Sequence, residues 1–288
     1  MPYADNNGTA IFYETQGPAS GHPTVLIEGL SKQLLGWKPA FRDRLEAGGA
    51  FVIALDNRDV GLSHKFGGRQ DLVADYTLFD MALDVAAVLD HLGLPAAHLV
   101  GQSMGGAIAQ ALLHVAPERV ASITGFYTVG DARHMKSTGQ GDNLTTPQPD
   151  RTRDEYVEFY LAAEANCAST LYPFDLDWHT GLAKRSYDRC YAPDGMARQA
   201  SAVMGLAAQP GPAGFVGQAP PDLPMAFIHG RADRLVDYHA SIELAEEAPA
   251  AELHLYPGLG HEIPAALITP MADTVLRTVR RGSARERR

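Results

Sequence analysis

Short apolar runs recur along the chain, each ending near a glycine or a polar loop and each followed by a stretch with helical spacing, and this alternation restricts the fold more than any other feature. "TVLIEG" (24–29), "FVIALD" (51–56), "AHLVG" (97–101), "VASITGF" (120–126), "PMAFIHG" (224–230) and "AELHLYPG" (251–258) read as buried strands. Between them, "KPAFRDRLEAGG", "YTLFDMALDVAAVLDHLG", "MGGAIAQALLHVA" and 239–248 carry apolar residues at helical intervals. Strands separated by helices of this length predict an α/β domain with a mostly parallel central sheet and helices on both faces. Ahead of this series, "YADNNGTAIFYET" reads as a hairpin, because Asn7-Gly8 accepts the positive φ that a type I′ turn requires. Thr269-Pro270 reads as the start of a last helix over "MADTVLRTVRR".

The pattern breaks between about 130 and 222. The Gly/Pro-rich stretches "STGQGDNLTTPQPD" and "AAQPGPAGFVGQAPPDLP" flank helical patterns such as "DEYVEFYLAAEA" and "GMARQASAVMGLAA". We therefore expect a core made of 1–129 and 223–288, with 130–222 inserted as a helical cap. Such an insertion leaves the sheet at its C-terminal edge, where open α/β sheets bind ligands.

Gly101-Gln102-Ser103-Met104-Gly105 fits G-x-S-x-G in the context that gives the motif meaning, a strand before and a helix after. There the serine sits on a strained turn at the head of a helix, where the dipole favours developing negative charge. A serine hydroxyl needs a base to attack a carbonyl. Of the 11 histidines, His261 in "LYPGLGHEIP" stands just past the last strand, where it can reach over the sheet edge. His229, at the end of an earlier strand, reads as structural. The acid is expected between the serine and the histidine in the chain, and "HGRADRLVD" supplies Asp233; Asp237 reads as a cap for the following helix. An oxyanion would be held by the backbone N–H of Met104 and by that of Leu30, with Gly29 making the turn after "TVLIEG". Phe126, Tyr127, Tyr172, Trp178 and Met204 are candidates for an apolar pocket lining, each with core packing as the competing role.

With these pieces assembled, the chain resembles α/β-hydrolases over almost its whole length, and more narrowly the bacterial esterase group that contains the aclacinomycin methylesterases. The stretches that carry the resemblance are "LGWKPAFRDRLEAGG", "IALDNRDVGLS", "HLVGQSMGGAIAQ", "RSYDRCYAPDGMARQ", "FIHGRADRLV" and "YPGLGHEIP". The resemblance implies the α/β-hydrolase fold, a triad of Ser103, Asp233 and His261, a helical cap over the pocket, and no cofactor. It also implies that Arg58 and Asp59 tie loops together. A small-molecule ester cleaved through an acyl-enzyme is then the expected chemistry. A lactonase or a C–C bond hydrolase would use the same residues, and a ligand-binding protein on the same scaffold is the reading from another class. Haloalkane dehalogenases and epoxide hydrolases are disfavoured, since their nucleophile is a carboxylate.

One position departs from the group's pattern: Glu28 precedes Gly29 where many relatives have histidine or an apolar residue. A carboxylate there would oppose an oxyanion unless paired or turned away, and Lys32 and Arg58 are candidate partners. Glu28 either enters a polar network under the turn or orients an amine or hydroxyl of the substrate.

Composition narrows the partners. A net charge of −10 over 288 residues argues against nucleic acid or anionic membrane, and the basic "RRGSARERR" reads as a solvated tail. No stretch approaches the ~20 apolar residues of a membrane helix. The N-terminus lacks a basic start and an apolar export segment. Cys167 and Cys190 fit neither a metal site nor a disulfide scaffold. A reducing cytoplasm is the expected location, and no feature of the sequence fixes an oligomeric state.

Overall fold

The computed structural model of the chain describes residues 2–68, 71–136, 146, 148–206 and 213–286. Its centre is an eight-stranded sheet in the order β1-β2-β4-β3-β5-β6-β7-β8. The strands are β1 (Tyr3–Asn6), β2 (Thr9–Gln16), β3 (His22–Ile27), β4 (Ala50–Leu55), β5 (Ala97–Gln102), β6 (Val120–Phe126), β7 (Met225–Gly230) and β8 (Ala251–Tyr256). The expected hairpin is β1–β2, turning at Asn7 and Gly8, both with positive φ. β2 pairs antiparallel with β4, and every later pairing is parallel.

The helices are α1 (Pro39–Ala47), α2 (Leu78–His91), α3 (Met104–Val115), α4 (Arg153–Cys167), α5 (Leu176–Arg189), α6 (Pro193–Leu206), α7 (Ala213–Val216), α8 (His239–Glu247) and α9 (Ile268–Glu286). The last begins at Ile268 after a 3₁₀ turn, so Thr269-Pro270 lies within its first turn and does not cap it. Among the described residues, no helix is long and apolar enough to cross a membrane.

The strands are apolar along their length because both faces are covered. Val25, Ile27, Ile53 and Leu99 pack toward α2, α3 and α8. Leu26, Val52, Ala54 and Val100 point the other way, toward α1 and α9. β3 lies between β4 and β5, and the strand order reverses beside it, so a crevice opens at the C-terminal ends of β3 and β5.

Helices α4 and α5 pack on each other through Val157, Tyr160, Leu182 and Ala183. They lie between β6 and β7 in the chain. The segments before and after them contact the loops and helices of the sheet layer. Met135 bridges Val236, and the Lys136 N–H donates to the Leu235 carbonyl (2.8 Å). At the other end, α7 packs on α3 and α8, and Phe215 stacks on His114 at 4.1 Å. Residues 137–145 and 147 of the first Gly/Pro-rich flank, and 207–212 of the second, lie outside the described residues.

Polar ties hold α5 and α6 to the loops after β3 and β4. Arg198 of α6 binds Asp59 through two bonds (2.9 and 2.8 Å), and Arg189 of α5 binds Asp56 (2.6 Å). Gln33 donates to the Ser186 carbonyl (2.8 Å), and Gln199 accepts from the Ser31 N–H (2.8 Å). Arg58 turns inward and grips Asp84 of α2 with two bonds of 2.7 Å, both partners buried. The loop 57–61 thus joins α2, the sheet and α6.

Removing one partner from such a buried pair leaves a charge without compensation. Arg58→Met should lower the free energy of urea unfolding by about 3–5 kcal/mol. Arg58→Met combined with Asp84→Leu should recover much of that loss.

Candidate active site

β5 ends at Gln102 and α3 begins at Met104, so Ser103 must reverse the chain in one residue. It does so at φ 51° and ψ −117°, a left-handed conformation rare for a side-chain-bearing residue. Glycines make the turn possible. A Cβ on Gly101 would collide with the Gly105 and Gly106 backbone, and one on Gly105 would meet the carbonyls of Ile27 and Glu28. The Ser103 N–H donates to the Phe126 carbonyl (2.9 Å), and the Thr128 hydroxyl donates to the Ser103 carbonyl (2.9 Å).

Asp233 lies on the loop after β7. Its Oδ1 accepts the N–H groups of Leu235 (2.8 Å) and Val236 (3.0 Å). Its Oδ2 stands 2.7 Å from His261 Nδ1 and 3.2 Å from His229 Nε2. Burial opposes the charge, but the imidazoles of His261 and His229 hold the carboxyl well below the usual carboxylate range. A carboxylate can only accept, so the His261 proton sits on Nδ1 and Nε2 remains available. His229 is tied on its other side to the Ser241 hydroxyl (2.7 Å), the structural role expected for it. Asp237 accepts the His239 N–H (3.0 Å), but the N-cap position of α8 is Tyr238 and carries no side-chain capping bond, so Asp237 stands one residue ahead of the cap expected of it.

The end of α4 and the residues just after it steady the His261 loop. The His261 N–H donates to the carbonyl of Cys167 at the end of α4 (2.9 Å), and the Gly260 N–H donates to the Ser169 hydroxyl (3.0 Å). The Tyr127 ring lies 4.3 Å from the His261 ring. Among the described residues no hydrogen bond links Ser103 to His261, although both line one cavity of about 570 Å³. Active-site bonds of this kind often tighten only around substrate.

Gly29 and Leu30 follow β3 and line the same cavity beside Met104. Among the described residues, the backbone N–H groups of Leu30 and Met104 donate to no protein acceptor. Glu28 is buried under this turn. Its Oε2 accepts from the Gly29 N–H (3.2 Å) and its Oε1 from Gln102 Nε2 (3.2 Å), while the Tyr127 hydroxyl donates to Gln102 Oε1. This is the polar network anticipated as one role for Glu28, but neither expected cation pairs with it. Lys32 is taken by Glu164 and Tyr160 of α4, and Arg58 by Asp84. Burial pushes the Glu28 carboxyl up to about 8, against the weaker pull of the Gly29 N–H and the Lys32 charge. It is neutral at pH 7.

Of the residues anticipated as pocket lining, Glu28, Tyr127 and Trp178 border the cavity; Phe126, Tyr172 and Met204 do not. Phe126 ends β6 on the face toward α1, where Trp37 (6.3 Å) and Phe41 (5.9 Å) surround its ring. Tyr172 packs against the core on that same side of the sheet. Met204 is 57% exposed, whereas Met196 and Val203 of the same helix reach the cavity; a step of one residue turns a helix by about 100°. Sequence reasoning missed Gln102, which sits inside the G-x-S-x-G motif at a position open to any residue. It also missed Lys38, Tyr160, Glu164 and His179, which no motif marks.

The alpha/beta hydrolase fold family matches residues 17–264, and the protein belongs to that family. The candidate carbamate hydrolase RutD of Variovorax paradoxus (strain S110) is 40% identical over 113 residues, 39% of this chain and 40% of that protein. Rhodomycin D methylesterase DnrP of Streptomyces peucetius is 38% identical over 120 residues, 41% of this chain and 39% of that protein. The chain thus matches about two fifths of the length of these relatives. The crystal structure of the enol-lactonase from Burkholderia xenovorans LB400 is similar in fold, with a TM-score of 0.75 at 20% identity over 97% of this chain and 100% of that one.

The position of Glu28 predicts a pH signature. An unfolded chain ionises this carboxyl near 4.5, whereas the folded protein holds the proton to about 8. The unfolded state therefore binds fewer protons between those values, and folding stability falls as pH rises through that window. Glu28→Gln, a neutral isostere, should lack this component. Its melting temperature should gain on that of the wild type from pH 5 to pH 8.

Proposed function

We propose that the protein is a serine hydrolase of carboxylic esters that works through an acyl-enzyme on Ser103. The observation that carries the reading is the 2.7 Å contact between His261 Nδ1 and the buried Asp233 carboxylate, on the cavity that also holds the strained Ser103. Asp233 orients the imidazole and stabilises the imidazolium that forms.

His261 Nε2 takes the proton of Ser103 Oγ as the oxygen attacks the ester carbonyl. The Leu30 and Met104 N–H groups, free of acceptors among the described residues, receive the oxyanion. Collapse of the tetrahedral intermediate breaks the ester C–O bond, and His261 gives the proton to the departing alcohol. A water molecule repeats the sequence on the acyl-enzyme, releasing the acid and restoring Ser103. Similarity to a rhodomycin D methylesterase supports an ester as the bond cleaved. The helices inserted between β6 and β7 act as a cap that determines which esters enter, since Tyr160, Trp178 and Leu182 line the cavity from that side.

A neutral Glu28 fits this scheme, because it adds no negative charge beside the oxyanion. Its ionisation as pH rises past about 8 would oppose the transition state, so kcat should fall there, and Glu28→Gln should flatten that alkaline limb.

The direct test is labelling by a fluorophosphonate together with hydrolysis of p-nitrophenyl esters. Wild type should label and turn over. Ser103→Ala should do neither, and Asp233→Asn should lower kcat by about a thousandfold or more. Ester turnover that survives in Ser103→Ala would overturn the assignment of the nucleophile. Wild-type protein that neither labels nor hydrolyses any ester would overturn the esterase reading as a whole.

A further inference from the structure

The cap side of the cavity holds polar groups that acyl transfer does not use. Lys38 directly precedes α1. Its Nζ is buried, has no hydrogen-bond partner among the described residues, and lies 5.0 Å from the centre of the Trp178 ring. The carboxylates whose fields reach it are engaged elsewhere. Asp175 accepts the Trp178 N–H (3.0 Å) at the head of α5, and Glu262 accepts the Ser169 N–H (2.7 Å). Glu164 is bound by Lys32, which also reaches the Tyr160 hydroxyl.

His179 follows Trp178 on α5 and is 5% exposed. Its ring stacks on Phe174 at 4.6 Å, and neither nitrogen forms a hydrogen bond among the described residues. Nδ1 lies 3.5 Å from Glu164 Oε2, beyond useful bonding geometry. Burial, together with the nearby charges of Lys38 and Lys32, pushes the imidazole down to about 4 despite the opposing pull of Glu164. It is neutral at pH 7, with one N–H to donate.

Lys38 and His179 both line the cavity that contains Ser103 and His261. A buried ammonium with no acceptor costs several kcal/mol, and burial accordingly pushes the Lys38 ammonium down. Lys32, a few residues away, shows the satisfied alternative, with a carboxylate and a phenol supplied by the protein. At Lys38, among the described residues, the protein supplies no acceptor, and the residue borders the cavity. An anionic oxygen brought to Nζ would accept a charge-assisted bond, and the imidazole offers a second donor on the same cavity.

We propose that Lys38 and His179 form a subsite for a carboxylate on the substrate, so that the esters preferred are half-esters of dicarboxylic acids. This rests on the ester-hydrolase reading above and specifies its substrate class. The ester carbonyl lies at Ser103, and the free carboxylate lies at the cap wall.

The test compares monomethyl esters of glutaric to suberic acid with methyl alkanoates of matched length, following acid release in a pH-stat. For the best-fitting length, wild-type kcat/KM should favour the half-ester by about tenfold or more, mainly through KM. Lys38→Met should bring that ratio to about one, while Lys38→Arg, which keeps the charge, should retain a preference. A ratio that does not change in Lys38→Met, or a wild type that prefers the neutral esters, overturns the subsite. Calorimetry of Ser103→Ala, with and without Lys38→Met, against the free C5 to C8 dicarboxylates separates the two readings. Lys38-dependent binding with no turnover of any ester leaves the subsite standing and defeats the hydrolase reading. Turnover of neutral esters with no Lys38-dependent binding does the reverse.

Discussion

The structure turns on how closely α3 approaches the ends of β3 and β5. Gly105 lies against the carbonyls of Ile27 and Glu28, and Gly101 lies against the first turn of the helix, so no side chain fits at either position. Given that approach, the residue between strand and helix must take the strained conformation seen at Ser103, at a cost of order 1–3 kcal/mol. The same approach brings the turn at Gly29 and Leu30 alongside the head of α3. Two backbone N–H groups without acceptors among the described residues then stand on one cavity with the serine. A less tight junction would relax the turn and separate those donors.

Two buried carboxyl groups near this junction are driven in opposite directions by their surroundings, a recurring means of giving like groups unlike tasks. Asp233 receives two backbone N–H groups and stands near two imidazoles, and it stays ionised. Glu28 receives one backbone N–H and one side-chain amide, with its nearest cation committed to Glu164, and it keeps its proton. The carboxyl beside the turn is therefore neutral, and the one behind the histidine is charged.

What could be read from the sequence is what the sheet dictates locally. Ser103, Asp233 and His261 each follow a strand, and a strand end fixes where its loop emerges, so their convergence on one edge follows from the alternation of strands and helices. The cap is different, because its contacts depend on how two helices pack over a loop. Nothing local distinguishes Val203, which reaches the cavity, from the exposed Met204 beside it. Nor does proximity in the chain reveal that Lys32 turns away from Glu28 toward a helix far along the sequence. Phe126 shows the limit at the sheet itself. An aromatic at a strand's C-terminal end can face the crevice or the helix layer beside it, and the rings of Trp37 and Phe41 claim it for the second.

The ties from Arg189 to Asp56 and from Arg198 to Asp59 also bear on how such a protein could change its specificity over time. Asp56 and Asp59 belong to the loop after β4 and are fully buried. An exchange of α5 and α6 would carry both arginines away and strand two carboxylates in the interior. These helices and the loop beneath them are thus coupled, and recombination that preserves folding must move both or alter the helices one residue at a time.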